Sequence, residues 1–303
     1  MAGGDVYAER YGMTGRPFDP QPDPSMLVWL PGTVRAAAAV EYAVTSGASF
    51  GALTGLPGTG KTSLILRAMA ELAAPPSEDG RSVGATFCLV RAAPRDGSIV
   101  PWILQALGIG DPAVTDPVDR FDLLQNALIE SYAAGRKVVL CFDDAHHLTD
   151  AALHDLRMVA SVNTAADVVV QVVLAGDERL SARLRAADNR GLAQRVGAWA
   201  GLPTIGRDAV GCYVGGRLDA CGGAADLIDP ACHDPLHRLT GGIPRAINHL
   251  CELALIQALS DGSRRVTDAT LRAVVEGGMF LPCGDRATMP RPQAVETEAR
   301  VAG

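Results

Sequence analysis

The chain has 303 residues, 48% hydrophobic and 20% charged, with a net charge of −7. That length accommodates one large α/β unit and a smaller domain, and the composition excludes a disordered chain. The acidic balance excludes a global positive field drawing the molecule to nucleic acid or membrane, so any such contact has to come from a local basic loop. The seven cysteines contain no Cys-x-x-Cys pair, and Cys212, Cys221, Cys232 and His237 match no zinc spacing, so reduced thiols are expected. There is no signal-peptide pattern, and no apolar run approaches the ~20 residues of a membrane span; the expectation is a cytoplasmic protein without a membrane partner.

In chain order, residues 1–15 are Gly-rich and read as a flexible N-terminus. Arg16 to Pro24 contains four prolines and cannot be a regular helix, because each proline fixes φ and removes a donor; it reads as an extended strap. Ala36 to Val44 reads as a helix and Ser49 to Thr54 as a short buried strand. Ile65, Met69 and Leu72 then recur at helical spacing. Pro75 to Gly80 marks a surface connection. Ala85–Val90 reads as a second strand, Ile99–Leu107 and Asp119–Ala134 as helices, and Lys137–Phe142 as a third strand. That third run is continuously apolar, as a strand covered on both faces requires. Thr149 is placed to cap a helix bearing Leu153, Leu156 and Val159; Val168–Leu174 and Gly197–Leu202 complete five strands. Strands alternating with helices argue a mostly parallel sheet with helices on both sides. From about Arg207 only helical spacing remains. The expected division is a flexible 1–15, an α/β core over 16–202, a helical lid over 203–280 and a disordered tail over 281–303.

Between the first strand and the next helix lies Gly55-Leu56-Pro57-Gly58-Thr59-Gly60-Lys61-Thr62, followed by Ser63, a complete Gly-x4-Gly-Lys-[Ser/Thr] phosphate loop. Glycines let the backbone wrap a phosphate, the helix N-terminus binds its charge, and Lys61 reaches the outer phosphates. Thr62 offers a hydroxyl to Mg²⁺. The third strand ends in Asp143-Asp144, which puts two acids at the carboxyl edge of the sheet, where open α/β sheets bind ligands. Asp143 is the expected Mg²⁺ partner, partly through water, and Asp144 the group that polarises an attacking water.

Tyr11 to Phe18, Pro22-Asp23-Pro24, the phosphate loop, Asp143-Asp144-Ala145-His146, Leu192-Ala193-Gln194-Arg195 and Gly241-Gly242-Ile243-Pro244-Arg245-Ala246-Ile247-Asn248 follow one another in register. Together they resemble the ExeA/GspA-type AAA+ ATPases, whose relatives include the TniB and TnsC transposition ATPases. The resemblance covers about residues 11–260. It implies an AAA+ P-loop fold of five parallel strands and a helical lid, with ATP and Mg²⁺ bound. It also implies assembly into a homo-oligomer, ring or filament. Arg195 takes the place of the arginine finger that reaches a neighbour's site, with Arg190 as the competing candidate, and Arg245 that of the second sensor in the lid. The strap near Pro17-Phe18 either encloses the adenine or is a docked arm.

This sequence departs from that pattern at three places. Asp144 stands where relatives have Glu, His146 where they have Gln, and Asp177 where the fourth strand often ends in Gln. Asp177 would be repelled by a γ-phosphate unless paired, for instance with Arg179; an N-cap role for the helix from Glu178 is the preferred reading. The expected function is an ATPase regulating a partner, most readily a DNA-transposition regulator that binds duplex DNA and recruits a transposase. A secretion-assembly ATPase of ExeA/GspA type is the alternative, and a nucleotide-occupancy switch with negligible hydrolysis is a third reading.

Overall fold

Five parallel strands carry the phosphate loop. They are β1 (Phe50–Thr54), β2 (Thr86–Val90), β3 (Val138–Phe142), β4 (Val170–Gly176) and β5 (Val196–Gly201), hydrogen-bonded in the order β2-β3-β4-β1-β5. The computed structural model describes residues 6–73, 85–90, 97–164 and 167–283. The connection expected at Pro75 to Gly80 and most of the expected tail lie outside the described residues.

Alternation along each strand explains why the sheet is covered on both sides. Val138, Leu140 and Phe142 enter one apolar cluster with Val170, Val172 and Leu174, beneath α4 (Val100–Leu107), α5 (Pro117–Ala133) and α6 (Asp150–Val159). Val139, Cys141, Val173 and Ala175 point the other way, onto α2 (Pro31–Thr45) and α3 (Lys61–Leu72). A two-sided core removes the polar face, and with it the polar/apolar alternation a half-exposed strand would show. Thr149 accepts a hydrogen bond from Ala152 N (3.1 Å) and caps α6.

The chain divides into two compact units. One is Gln21–Thr204, which holds the whole sheet; the other combines Met1–Pro20 with Ile205–Gly303. The second unit is helical: α9 (Val210–Asp219), α10 (His233–Thr240), α11 (Pro244–Ser260) and α12 (Asp268–Glu276). Its N-terminal part bears on two expectations. Residues Val6–Arg10 form a helix, α1, although glycines nearby suggested a frayed end. Its Tyr7 hydroxyl donates to Glu252 Oε2 (2.5 Å), and Arg16 Nε donates to Glu252 Oε1 (2.8 Å). The strap is docked: Phe18 is fully buried, and the Arg217 guanidinium donates to Pro17 O (2.6 Å) and Asp19 O (3.3 Å). The Gly241-Gly242 pair also has a physical reason. Gly242 has φ +69°, and a Cβ there would fall 2.1 Å from Ile205 O.

Among the described residues no helix is long and apolar enough to cross a membrane. Of the seven thiols, Cys88, Cys141, Cys221, Cys232 and Cys251 are buried, and Cys212 and Cys283 are exposed.

Candidate nucleotide site

The site is assembled at the carboxyl edge of the sheet by the segments that follow β1, β3 and β4. Gly55 leaves β1 with its N–H donating to Gly176 O (3.2 Å) at the end of β4. A Cβ on Gly55 would sit 2.5 Å from Leu202 O, so only glycine allows this approach. Gly58 (φ +84°) and Gly60 (φ +101°) turn the loop through the left-handed region. The Thr59 hydroxyl closes the turn on Leu56 O (2.9 Å). Gly60 is the N-cap of α3, no side chain caps that end, and no acid occupies its first turn. An uncapped helix N-terminus beside wrapped backbone amides attracts an anion.

Lys61 is 7% exposed, and its Nζ donates to Gly55 O (2.9 Å) and Leu56 O (3.1 Å), across the mouth of the loop. The Thr62 hydroxyl donates to Asp143 Oδ2 at 2.6 Å. This contact spans 81 positions of sequence and brings together the two groups assigned to Mg²⁺. Both are hard oxygen donors, as Mg²⁺ requires, and two protein ligands suit an ion that keeps waters and phosphate oxygens in its other positions. The residues present fit the ion and a triphosphate. Leu56 and Pro57 stay exposed at the loop tip, and Ser63 is half-buried in the first turn of α3.

Asp143 Oδ1 accepts from Asp144 N (3.0 Å). Asp144 has φ +50°, the one non-glycine at positive φ among the described residues. Aspartate tolerates this region better than most residues, and such backbone concentrates at functional sites. Its side chain is 68% exposed. The chain then enters a 3₁₀ turn (Ala145–His147) and buries the His146 ring to 6% exposure. Burial pushes the His146 pKa down, against the opposing pull of Asp177. The sequence marked His146 only as a departure; nothing in the local pattern shows that this ring is covered.

Asp177 caps α7 (Glu178–Arg185), accepting from Arg179 N (2.9 Å) and Nε (2.8 Å). The Arg179 hydrogen bond holds its carboxyl below the ordinary value. N-cap and ion pair thus coexist at one residue.

Arg195 is exposed and lies at the other edge of the sheet. Its carbonyl accepts from Phe50 N (3.3 Å) at the start of β1, and its Nη1 donates to Ser161 Oγ (3.0 Å). The five residues of β1 put roughly 17 Å of strand between that end and the phosphate loop. Arg190, also exposed, starts α8 (Arg190–Ala193), a short helix the sequence did not announce. Arg245 is exposed in the first turn of α11, after Pro244, within the helical unit.

Residues 44–184 match the family model described as an AAA domain. The chain is 31% identical over 289 residues to General secretion pathway protein A of Aeromonas hydrophila. The match covers 90% of this chain and 49% of that protein, so the chain spans about half the length of the curated relative it matches. Among solved structures it is similar to Cdc6p of Pyrobaculum aerophilum (TM-score 0.66, 15% identity, 88% of this chain and 72% of that one). It is also similar to the Aeropyrum pernix ORC1 protein in complex with DNA (TM-score 0.62, 18% identity, 87% and 70%). A third is the Thermotoga maritima RuvB branch-migration motor (TM-score 0.53, 14% identity, 86% and 73%). At these identities the structures speak for the fold, and the fold is the P-loop AAA+ arrangement.

Proposed function

From a chain with an AAA domain and the AAA+ P-loop fold, we propose an ATPase that hydrolyses ATP with Mg²⁺ inside a homo-oligomer and uses the cycle to act on a partner. The observation that carries this reading is the Thr62–Asp143 contact beside a buried Lys61 at an uncapped helix N-terminus. Lys61 exchanges two loop carbonyls for phosphate oxygens. Thr62 and Asp143 would hold the cation, which when bound would supply positive charge against the negative charge of the transferred phosphoryl group. Asp144 orients the attacking water; being one methylene shorter than Glu, it reaches less far, and turnover is expected to be slow.

Arg195 faces away from its own loop by the length of β1, which supports a role in a neighbouring copy's site. An arginine supplied in trans contributes roughly 10³–10⁵ in rate, so assembly would switch hydrolysis on. Arg190 stands as the alternative on the same segment. Arg245 is proposed as the second sensor, reporting nucleotide state to the helical unit.

The nature of the partner follows less directly. Identity to General secretion pathway protein A over 90% of this chain favours the ExeA/GspA-like reading. The transposition reading rests on motif likeness alone. ORC1 was solved with DNA, but at 18% identity it lends this chain only its fold. The test is Mg²⁺-dependent ATP hydrolysis measured against protein concentration, with and without duplex DNA at low salt. Turnover per chain that rises with concentration supports the proposal; turnover absent at every concentration leaves the occupancy switch. Salt-sensitive, ATP-promoted duplex binding would restore the DNA-linked role.

A further inference from the structure

His146 lies between two carboxylates that follow different strands, Asp144 after β3 and Asp177 after β4. Its Nδ1 faces Asp144 Oδ1 at 4.0 Å and its Nε2 faces Asp177 Oδ2 at 3.7 Å. Neither is yet a hydrogen bond, and Nδ1 is a buried polar atom without a partner. The placement is nevertheless built. Arg183 donates to the carbonyls of His146 (3.2 Å) and Leu148, and His147 N donates to Asp144 O (2.9 Å), so the turn's backbone is clamped. The end of β4 presses close: a Cβ on Gly176 would fall 3.3 Å from His146 N. The His147 ring packs against the His146 ring at 4.0 Å between centroids.

A neutral imidazole has one N–H to give. Asp177 does not need it, because Arg179 already supplies its backbone N–H, Nε and Nη2. Asp144 does: among the described residues no side chain hydrogen-bonds its carboxylate, which is free to rotate in solvent. An unpaired buried donor is costly, and the acceptor that would satisfy Nδ1 stands about 1 Å beyond hydrogen-bond reach. A small rotation of the exposed Asp144 side chain closes that gap.

We infer that His146 is a positioning residue, whose Nδ1–H holds the Asp144 carboxylate in the orientation that aims the attacking water. The inference rests on the ATPase reading and deepens it. It also gives the His146 and Asp144 departures one physical explanation: a short acid steadied by a donor beneath it.

Asparagine and glutamine separate the two ring nitrogens, since the Asn amide nitrogen lies near the Nδ1 position and the Gln amide nitrogen near Nε2. Steady-state kcat and KM for ATP, ATP affinity and melting temperature are measured for His146→Ala, His146→Asn, His146→Gln, Asp144→Ala and the Asp144→Ala/His146→Ala pair. His146→Ala should lower kcat about ten- to a hundredfold with KM and affinity unchanged. His146→Asn should restore most of that loss and His146→Gln should not. Adding His146→Ala to Asp144→Ala should change nothing further. Equal rates for Asn and Gln, a further drop in the double variant, or loss of ATP binding and melting temperature together would overturn the inference. If wild type hydrolyses ATP and all three His146 variants match it, the inference falls and the ATPase reading survives. If wild type does not hydrolyse, both fall.

Discussion

Removing the Lys61 ammonium isolates the phosphate-binding step from everything that follows it. In the free protein Nζ holds two loop carbonyls, Gly55 O and Leu56 O, at 2.9 and 3.1 Å. Because the loop tip is exposed, water can replace the lost donor, and Lys61→Ala should alter ligand-free stability by no more than about 1–2 kcal/mol. With nucleotide the same change removes charge-assisted bonds to phosphate worth about 1.5–3 kcal/mol each. For two such bonds the affinity should fall at least about a hundredfold. The assay is thermal unfolding with and without Mg²⁺-ATP. Nucleotide at about a hundred times its Kd stabilises the wild type by about 2.7 kcal/mol, which raises Tm by about 5–10 °C for a unit the size of Gln21–Thr204. Lys61→Ala should show about 1 °C or less at the same concentration while its ligand-free Tm stays within a few degrees. An equal nucleotide shift in the variant refutes the assignment of this loop as the phosphate site. A collapse of the ligand-free Tm instead refutes the argument that the loop carbonyls can be rehydrated.

Asp144→Asn should keep ATP affinity and lower hydrolysis by about 10²–10⁴, leaving ATP-loaded protein that gel filtration resolves as oligomer; unchanged turnover would mean another group aims the water. Asp177→Asn retains the N-cap but loses the charge paired with Arg179, so it isolates the ion pair. The folded carboxyl lies below its ordinary value of 3.8, so wild type should exceed the variant in stability above that pH. The difference should vanish as pH falls through the folded value; a difference persisting in acid would show that the pair is not its source. Gly242→Ala, whose Cβ would meet Ile205 O, should destabilise the helical unit by about 2 kcal/mol or more in denaturant titration, whereas Gly215→Ala, with open space around it, should not.

Much of this was legible in the sequence where the cause is local. The phosphate loop needs glycines at fixed offsets, and a strand covered on both faces needs the unbroken run Val138 to Phe142. A cap needs Thr149 three residues before the N–H it accepts. What escaped has non-local causes. Tyr7 and Arg16 meet Glu252 across more than 230 positions, and neither end advertises the other, so α1 went unread. α2 begins at Pro31, five residues before the apolar spacing starts, because proline at the first helical position needs no donor. β4 continues through Gly176 because its register is set by β1, with Thr54 opposite Gly176, and not by its own side chains. His146 is covered because β4 and α7 close over a 3₁₀ turn, an event no neighbouring residue encodes. Arg195 was singled out by resemblance, and the fact that most constrains its proposed role, the hydrogen bond its carbonyl accepts from Phe50 N at the far edge of the sheet, was not legible.

The central claim is an active site shared between copies, with Lys61 from one chain and Arg195 from the next. Lys61→Ala and Arg195→Ala are each expected to be nearly inactive alone, the second while still binding ATP. Mixed in equal amounts and allowed to exchange subunits, they should regain about one quarter of wild-type turnover per chain, because a head-to-tail interface pairs an intact loop with an intact finger in about a quarter of contacts. No recovery, with exchange verified, would contradict the shared site.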